Sequence, residues 1–235
     1  MLSAQNLEHE AGANRLADGP CDSPISKVRG LDNVKVGKYY PRGSVLFVEG
    51  QPPRGVYVLC DGRAKVSIAS AEGKTLVLRI AQPGDLLGMN ATLTGQSYGA
   101  TVETLERCRI DFISRADLLK LLDRDKKAFL GVAQSLSSKL TRLVEHTRLL
   151  FLSQSAAEKL ARLLVRWCNE LGKRTPQGIR ITSGLTHEEI GQMICASRET
   201  VTRVLSEFRR KHIVNLVGNS IFVRNRKALE SLAGC

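Results

Sequence analysis

The chain has 235 residues, 43% of them hydrophobic, enough for one large or two small domains with ordinary cores. Its formal charge of +12 comes from 35 Lys+Arg against 23 Asp+Glu, a surplus that folding does not require and that attracts phosphate polyanions. No apolar run approaches the roughly 18 residues of a membrane span, and no basic stretch leads into an apolar one at the N-terminus, so a cytoplasmic protein without membrane contact is expected.

Residues 1–25 are polar, with Gly and Pro but no hydrophobic period, and read as a mobile tail. From about Lys38 short runs rich in β-branched residues follow one another: "SVLFVEGQ", "GVYVLCDG", "AKVSIAS", "TLVLRIAQPGD" and "CRIDFIS". Gly, Pro and Asp separate them, and glycines 50, 62, 73, 84 and 88 fall near strand ends, where turns with positive φ are expected. Residues 26–125 therefore read as an all-β jelly roll or small barrel.

After Asp117 the period becomes helical. Residues 126–152 hold no proline, and Val132, Leu136, Leu140, Leu143 and Leu150, with Thr147 filling the same stripe, approximate a heptad seam. Such a helix would run roughly 40 Å, longer than one small β domain needs. Packing on its own domain is one reading; a dimer seam is favoured because the stripe is narrow and its flanks are charged.

Residues 153–235 carry 14 Lys+Arg against 7 Asp+Glu, more than half of the net charge in a third of the chain. "SQSAAEKLARLLVRWCNELG" reads as a helix capped by Ser155 and closed at Gly172, "KRTPQG" as a loop and "IRI" as a short strand. Thr186 and Glu189 stand at capping-box spacing, a turn follows around Cys195 and Ala196, and Ser197 caps a further helix. Two short strands joined at Gly218-Asn219 close the chain.

Two helices joined by a few residues and followed by a β-hairpin describe a winged helix-turn-helix. Projected at about 100° per residue, Val201, Val204, Leu205 and Phe208 fall on one side of the second helix, with Arg198, Glu199, Thr202, Arg203 and Ser206 opposite. Arginine can donate a bidentate pair to guanine and glutamate can accept from cytosine, so Arg198, Glu199 and Arg203 are the candidate base readers. An ordinary surface ion pair between Glu199 and Arg203 is the bland alternative.

"LTHEEIGQMICASRETVTRVLSEFRRKHIVNLVGNSIFV" resembles the DNA-binding domain of the Crp/Fnr family of bacterial transcription regulators, and "GVYVLCDGRAKVSIASAEGKTLVLRIAQPGDLLG" resembles that family's cyclic-nucleotide-binding β-roll. The resemblance implies an α+β architecture of β-roll sensor, long dimerisation helix and C-terminal winged helix-turn-helix. It implies a homodimer on double-stranded DNA, a half-site close to TGTGA, and RNA polymerase as a partner. Ser197, Thr200, Thr186 and His187 would then lie against phosphates.

The nucleotide pocket departs from the pattern. Where the cyclic-AMP-binding members use a Gly-Glu pair and an Arg-Ser pair, this chain has Gly88-Met89 and Tyr98-Gly99, and Arg142-Leu143 replace the Thr-Ser pair of the long helix. An anionic phosphate without its arginine would cost at least about 3 kcal/mol, so cyclic AMP is not the expected ligand. Gly88, Met89, Tyr98, Gly99 and Arg142 remain as candidates for lining a different effector pocket.

An iron–sulfur cluster needs four thiolates, and the N-terminal region offers only Cys21, with Cys108 reading as a buried strand residue. The β-roll offers no histidine as a haem ligand, since the four histidines are 9, 146, 187 and 212. Cys21, Cys60, Cys108, Cys168, Cys195 and Cys235 lie far apart without a CxxC pair and are expected to be reduced thiols, with no metal bound. Three effector states stay open: an unidentified small molecule, thiol redox, or none.

Cys195 stands where that family's turn has glycine; either the turn tolerates a small side chain, or the thiol lies close enough to phosphate for its oxidation to weaken DNA binding. No P-loop, GxSxG, HExxH or dinucleotide fingerprint is present, so an enzyme is not expected. The rival from another class is a ligand-sensing module whose C-terminal domain docks protein instead of DNA.

Overall fold

The computed structural model describes Cys21, residues 23–25 and residues 33–234, so most of the expected N-terminal tail lies outside the described residues, as do His9 and Cys235. Eight strands and a short helix build the first domain: β1 (Lys35–Tyr40), β2 (Val45–Phe47), β3 (Gly55–Asp61), β4 (Ala64–Ala69), β5 (Thr75–Ala81), β6 (Leu86–Leu87), α1 (Met89–Thr94), β7 (Thr101–Thr104) and β8 (Cys108–Ser114). They pair antiparallel in two four-stranded sheets, ordered β1-β8-β3-β6 and β2-β7-β4-β5.

Alternation along the strands sends Phe47, Leu59, Val66, Val102 and Ile110 into the space between the sheets. Val56 and Val58 of β3 instead join a cluster with Leu118, Leu121 and Leu122 of α2 (Arg115–Arg124) and with Ala128 and Val132 of α3 (Lys126–Leu152). The five glycines expected at turns all have positive φ. β1, β6, β7 and α1 are additions to the sequence reading: they are short or half-exposed, and none carries a clear period of its own.

Helix ends follow the capping chemistry of the sequence. The Ser114 hydroxyl accepts from Asp117 N–H, and the Asp125 carboxylate, closing α2, accepts from Lys127 and Ala128 N–H to start α3. Ser155 caps α4 (Ala156–Glu170), whose Leu160, Leu163, Leu164 and Trp167 are buried.

α3 has the expected bounds, but its stripe divides. Val132 is only 2% exposed because it packs on α2 and β3 of its own chain, so it does not belong to a free seam. Further along, Leu140 and Leu143 are 63% and 52% exposed, and Leu136 and Leu150 are half-buried.

The C-terminal domain adds β9 (Lys173–Thr175), β10 (Gly178–Ile181), α5 (His187–Ile194), α6 (Arg198–Arg210), β11 (Val214–Val217), β12 (Ser220–Val223) and α7 (Arg226–Leu232). Its sheet runs β11-β12-β10-β9, and β9 occupies part of the stretch expected to be a loop, held by pairing with β10 that local sequence does not announce. Its core, built around Trp167, Val201, Leu205 and Phe208, continues across the domain boundary to Val77 and Ile80 of β5 and to Leu105. Among the described residues no helix is long and apolar enough to cross a membrane.

The cysteine expectation is corrected here. Cys21 and Cys60 are joined in a disulfide, their Cα atoms 4.7 Å apart, because Cys21 lies against the end of β3. Cys108 and Cys168 are buried free thiols, and Cys195 is an exposed one.

Candidate nucleic-acid interface

α5 starts at a complete capping box. The Thr186 hydroxyl accepts from Glu189 N–H at 3.2 Å, and the Glu189 carboxylate accepts from Thr186 N–H at 2.8 Å. The helix ends at Cys195, whose φ of 53° is left-handed, a conformation that costs a residue bearing a Cβ a modest strain.

Gly191 makes the turn after α5 so tight. A Cβ on it would lie 2.4 Å from the carbonyl oxygen of Ala196, so only glycine lets the chain double back over α5 at this point. Nothing in the spacing of the sequence marks that close approach at Gly191.

Ser197 then caps α6, its hydroxyl accepting from Thr200 N–H and donating to Thr200 Oγ1, both at 3.2 Å. Val201, Val204, Leu205 and Phe208 are buried, which fixes the rotation of α6 about its axis. Arg198, Glu199, Thr202, Arg203 and Ser206 face solvent together, as the projection expects. His187 Nδ1 meets Thr202 Oγ1 at 2.9 Å and so ties the first helix to the second.

Glu199 does not spend its carboxylate on Arg203. Its own backbone N–H and the Ser197 hydroxyl hold it below the usual carboxylate range, with Arg198 adding to the effect. Among the described residues the ion pairs spaced four apart on helices are Glu158–Arg162, Glu207–Lys211 and Arg226–Glu230, which leaves Arg203 unclaimed by Glu199.

The candidate effector residues do not all meet. Tyr98, 3% exposed, lies inside the β-roll, its ring stacked on Phe47 with centroids 4.0 Å apart. Its hydroxyl donates to the Gly55 carbonyl at 2.7 Å and accepts from Gly55 N–H at 3.3 Å. Gly88 sits against the ring, where a Cβ would come within 2.6 Å of it, and Met89 is 2% exposed.

Gly99 is exposed beside Tyr98. Arg142 is exposed on α3 and lines a separate groove of about 640 Å³ with Lys139 and the turn Gln82–Asp85. Tyr98, buried and hydrogen-bonded to Gly55, thus stands where the family's pattern has an arginine, and it offers no guanidinium fork to a phosphate. Among the described residues, Cys21, Cys60 and Asp111 form the one grouping of three potential metal ligands, and two of these are bound to each other.

The comparisons agree with this architecture. The sequence model of the cyclic nucleotide-binding domain matches residues 37–125, and that of the Crp-like helix-turn-helix domain matches residues 158–232. The chain is 26% identical over 195 residues to the CRP-like cAMP-activated global transcriptional regulator of Mycobacterium tuberculosis, covering 81% of this chain and 84% of that one.

Among solved structures, FixK2 from Bradyrhizobium japonicum superposes with a TM-score of 0.75 at 22% identity, over 85% of this chain and 97% of that one. A CRP-family transcriptional regulator from Thermus thermophilus gives 0.73 at 26% identity, over 84% and 97%. With a β-roll, a long helix and a solvent-facing helix-turn-helix in that order, the chain belongs to the Crp/Fnr family of DNA-binding transcription regulators.

Proposed function

We propose that the chain works as a cytoplasmic homodimer that reads a two-fold operator with TGTGA-like half-sites, Arg198, Glu199 and Arg203 touching base edges and Ser197, Thr200, Thr186 and His187 lying along phosphates. The observation that carries this reading is the α6 face itself. Its apolar side is locked in the core while both arginines project from the first two turns, where a recognition helix enters the major groove.

The exposed stripe of Leu140 and Leu143, flanked by Leu136 and Leu150, supplies an apolar seam for a second copy of α3. Residues 126–152 would then divide a sensor half from a DNA-reading half, with RNA polymerase meeting the bound dimer.

For the effector, Tyr98 in the β-roll favours a regulator that does not use cyclic AMP. Among the described residues, no four cysteines gather for an iron–sulfur cluster and the β-roll brings no histidine for haem, which favours neither group. A different small molecule, thiol redox and constitutive binding are the remaining readings.

An electrophoretic shift tests the core of the proposal, using a duplex with TGTGA and TCACA half-sites about one helical turn apart. Preferential binding over a scrambled duplex is expected, with affinity falling in log[salt] by about 0.9 per neutralised phosphate. Equal affinity for both duplexes at moderate salt would overturn it.

A further inference from the structure

The Cys21–Cys60 pair fastens a segment that touches three parts of the sensor domain. Cys21 is 7% exposed and Cys60 is half-buried at the end of β3. Ile25, fully buried, fills the cluster formed by Val56, Leu118 and Val132. Pro24 lies over α3 at Gly131, where a Cβ would fall 2.7 Å from the Pro24 carbonyl oxygen, so the helix surface is shaped to receive this segment. Ser23 and Pro24 also form one edge of the groove that holds Lys139 and Arg142.

The two cysteines are 39 positions apart, and the link ties a segment that contributes Ile25 to the core onto a β-roll whose sheets pair without it. Breaking it removes the covalent tether and leaves Ile25 and Pro24 as the contacts that hold the segment. Disulfides of proteins that work in a reducing compartment are more often transient, catalytic or redox-sensing, than structural. Of the two sulfurs, that of Cys60, half-buried at a strand end, is the one a small dithiol can attack.

We infer that Cys21 and Cys60 are a reversible dithiol–disulfide site whose closed form seats Pro24 on Gly131 and holds α3 in the position that favours operator binding. This rests on the proposed reading of the chain as an α3-paired DNA binder and names the redox site within it. In the opening step a thiolate of a dithiol reductant attacks the Cys60 sulfur, the S–S bond breaks, and Cys21 leaves as a thiolate. The second thiol of the reductant, as its thiolate, then attacks the mixed disulfide and releases Cys60. Two electrons and two protons pass from reductant to protein, leaving two cysteine thiols and an oxidised dithiol. A small-molecule disulfide such as oxidised glutathione reverses both steps.

The test uses the full chain in two arms. Peptide mapping without reductant should find Cys21 linked to Cys60 after treatment with oxidised glutathione, and maleimide should label both after dithiothreitol. Operator affinity of the oxidised protein should exceed that of the reduced protein by roughly five- to a hundredfold, the usual span of coupling between two sites. Cys60→Ser should bind like the reduced protein and lose the response to redox state.

Cys21→Ser, whose change lies outside the β-sheets, serves as a second variant if Cys60→Ser fails to fold. Two labelled thiols under oxidising conditions, equal affinities in both states, or a redox response retained in the serine variant would each overturn the inference. If neither state prefers the operator to a scrambled duplex, the DNA-reading proposal fails, while the mapping arm still reports on the disulfide.

Discussion

Lys65 on β4 reaches into the DNA-binding domain and places its Nζ 2.6 Å from Oε1 of Glu189, the same carboxylate whose other oxygen closes the capping box of α5. The sensor domain therefore contributes a charge to the group that starts the helix-turn-helix. Burial alone would lower the Lys65 ammonium, but hydrogen bonding to Glu189, with Glu103 beside it at 3.2 Å, raises it. Glu189 is lowered in turn, burial being outweighed by Lys65 and the Thr186 backbone.

Removing Lys65 would leave a half-buried carboxylate paired only at its capping end. Lys65→Ala should lower stability by about 1–3 kcal/mol in urea unfolding, and Glu189→Ala, which also removes the cap, by about 1 kcal/mol more. Because the Glu189 carboxyl is depressed on folding, the stabilisation stands at neutral pH and is lost as acid protonates it. Equal stabilities of wild type and Lys65→Ala at neutral pH would show the contact to be idle.

Gly191 should accept no side chain. A Cβ at 2.4 Å from the Ala196 carbonyl forces the turn between α5 and α6 open, and overpacking of this kind costs about 1–3 kcal/mol. Gly191→Ala is expected to lower the unfolding midpoint and to weaken operator binding beyond the stability loss, since α6 is displaced. A variant with unchanged midpoint and affinity would show that the turn gives way freely.

His146 on α3 is 4% exposed, and neither ring nitrogen has a hydrogen-bond partner. Burial, helped by the nearby Arg166 charge, pushes its pKa down from 6.5 to about 4. The unfolded chain then binds a proton that the folded chain refuses, so stability is full above pH 6.5 and falls as pH drops toward 4. About 2 kcal/mol should be lost between pH 8 and pH 5, measurable by urea unfolding at each pH. His146→Leu, which removes two unpaired polar atoms, should flatten that part of the profile without destabilising the protein at pH 8. An unaltered profile in the leucine variant would remove His146 as its source.

Arg198 and the outer face of α6 predict a loss of discrimination rather than of binding in general. Arg198→Ala should cost about 1–3 kcal/mol on the intact operator and little on an operator already changed at the guanine it reads. Competition binding with single-base variants measures this directly; uniform weakening on every duplex would mean that Arg198 touches phosphate only.

The strand runs, the bounds of α3 and the caps at Ser155, Thr186 and Ser197 were legible in the sequence because each depends on hydrophobic period or on side-chain chemistry within three or four residues. So was the two-sided character of α6, since 3.6-residue geometry alone sorts Val201 and Leu205 from Arg198 and Arg203. Only the tertiary structure decided where those pieces meet. Val132 belongs to its own domain because α2 and β3 cover it, although its spacing matches the exposed leucines. Tyr98 fills the β-roll, and Arg142 stands apart from it, because sheet packing sets the distance between residues more than forty positions apart. Cys21 finds Cys60, and Lys65 finds Glu189, across separations for which a linear sequence carries no periodic signal.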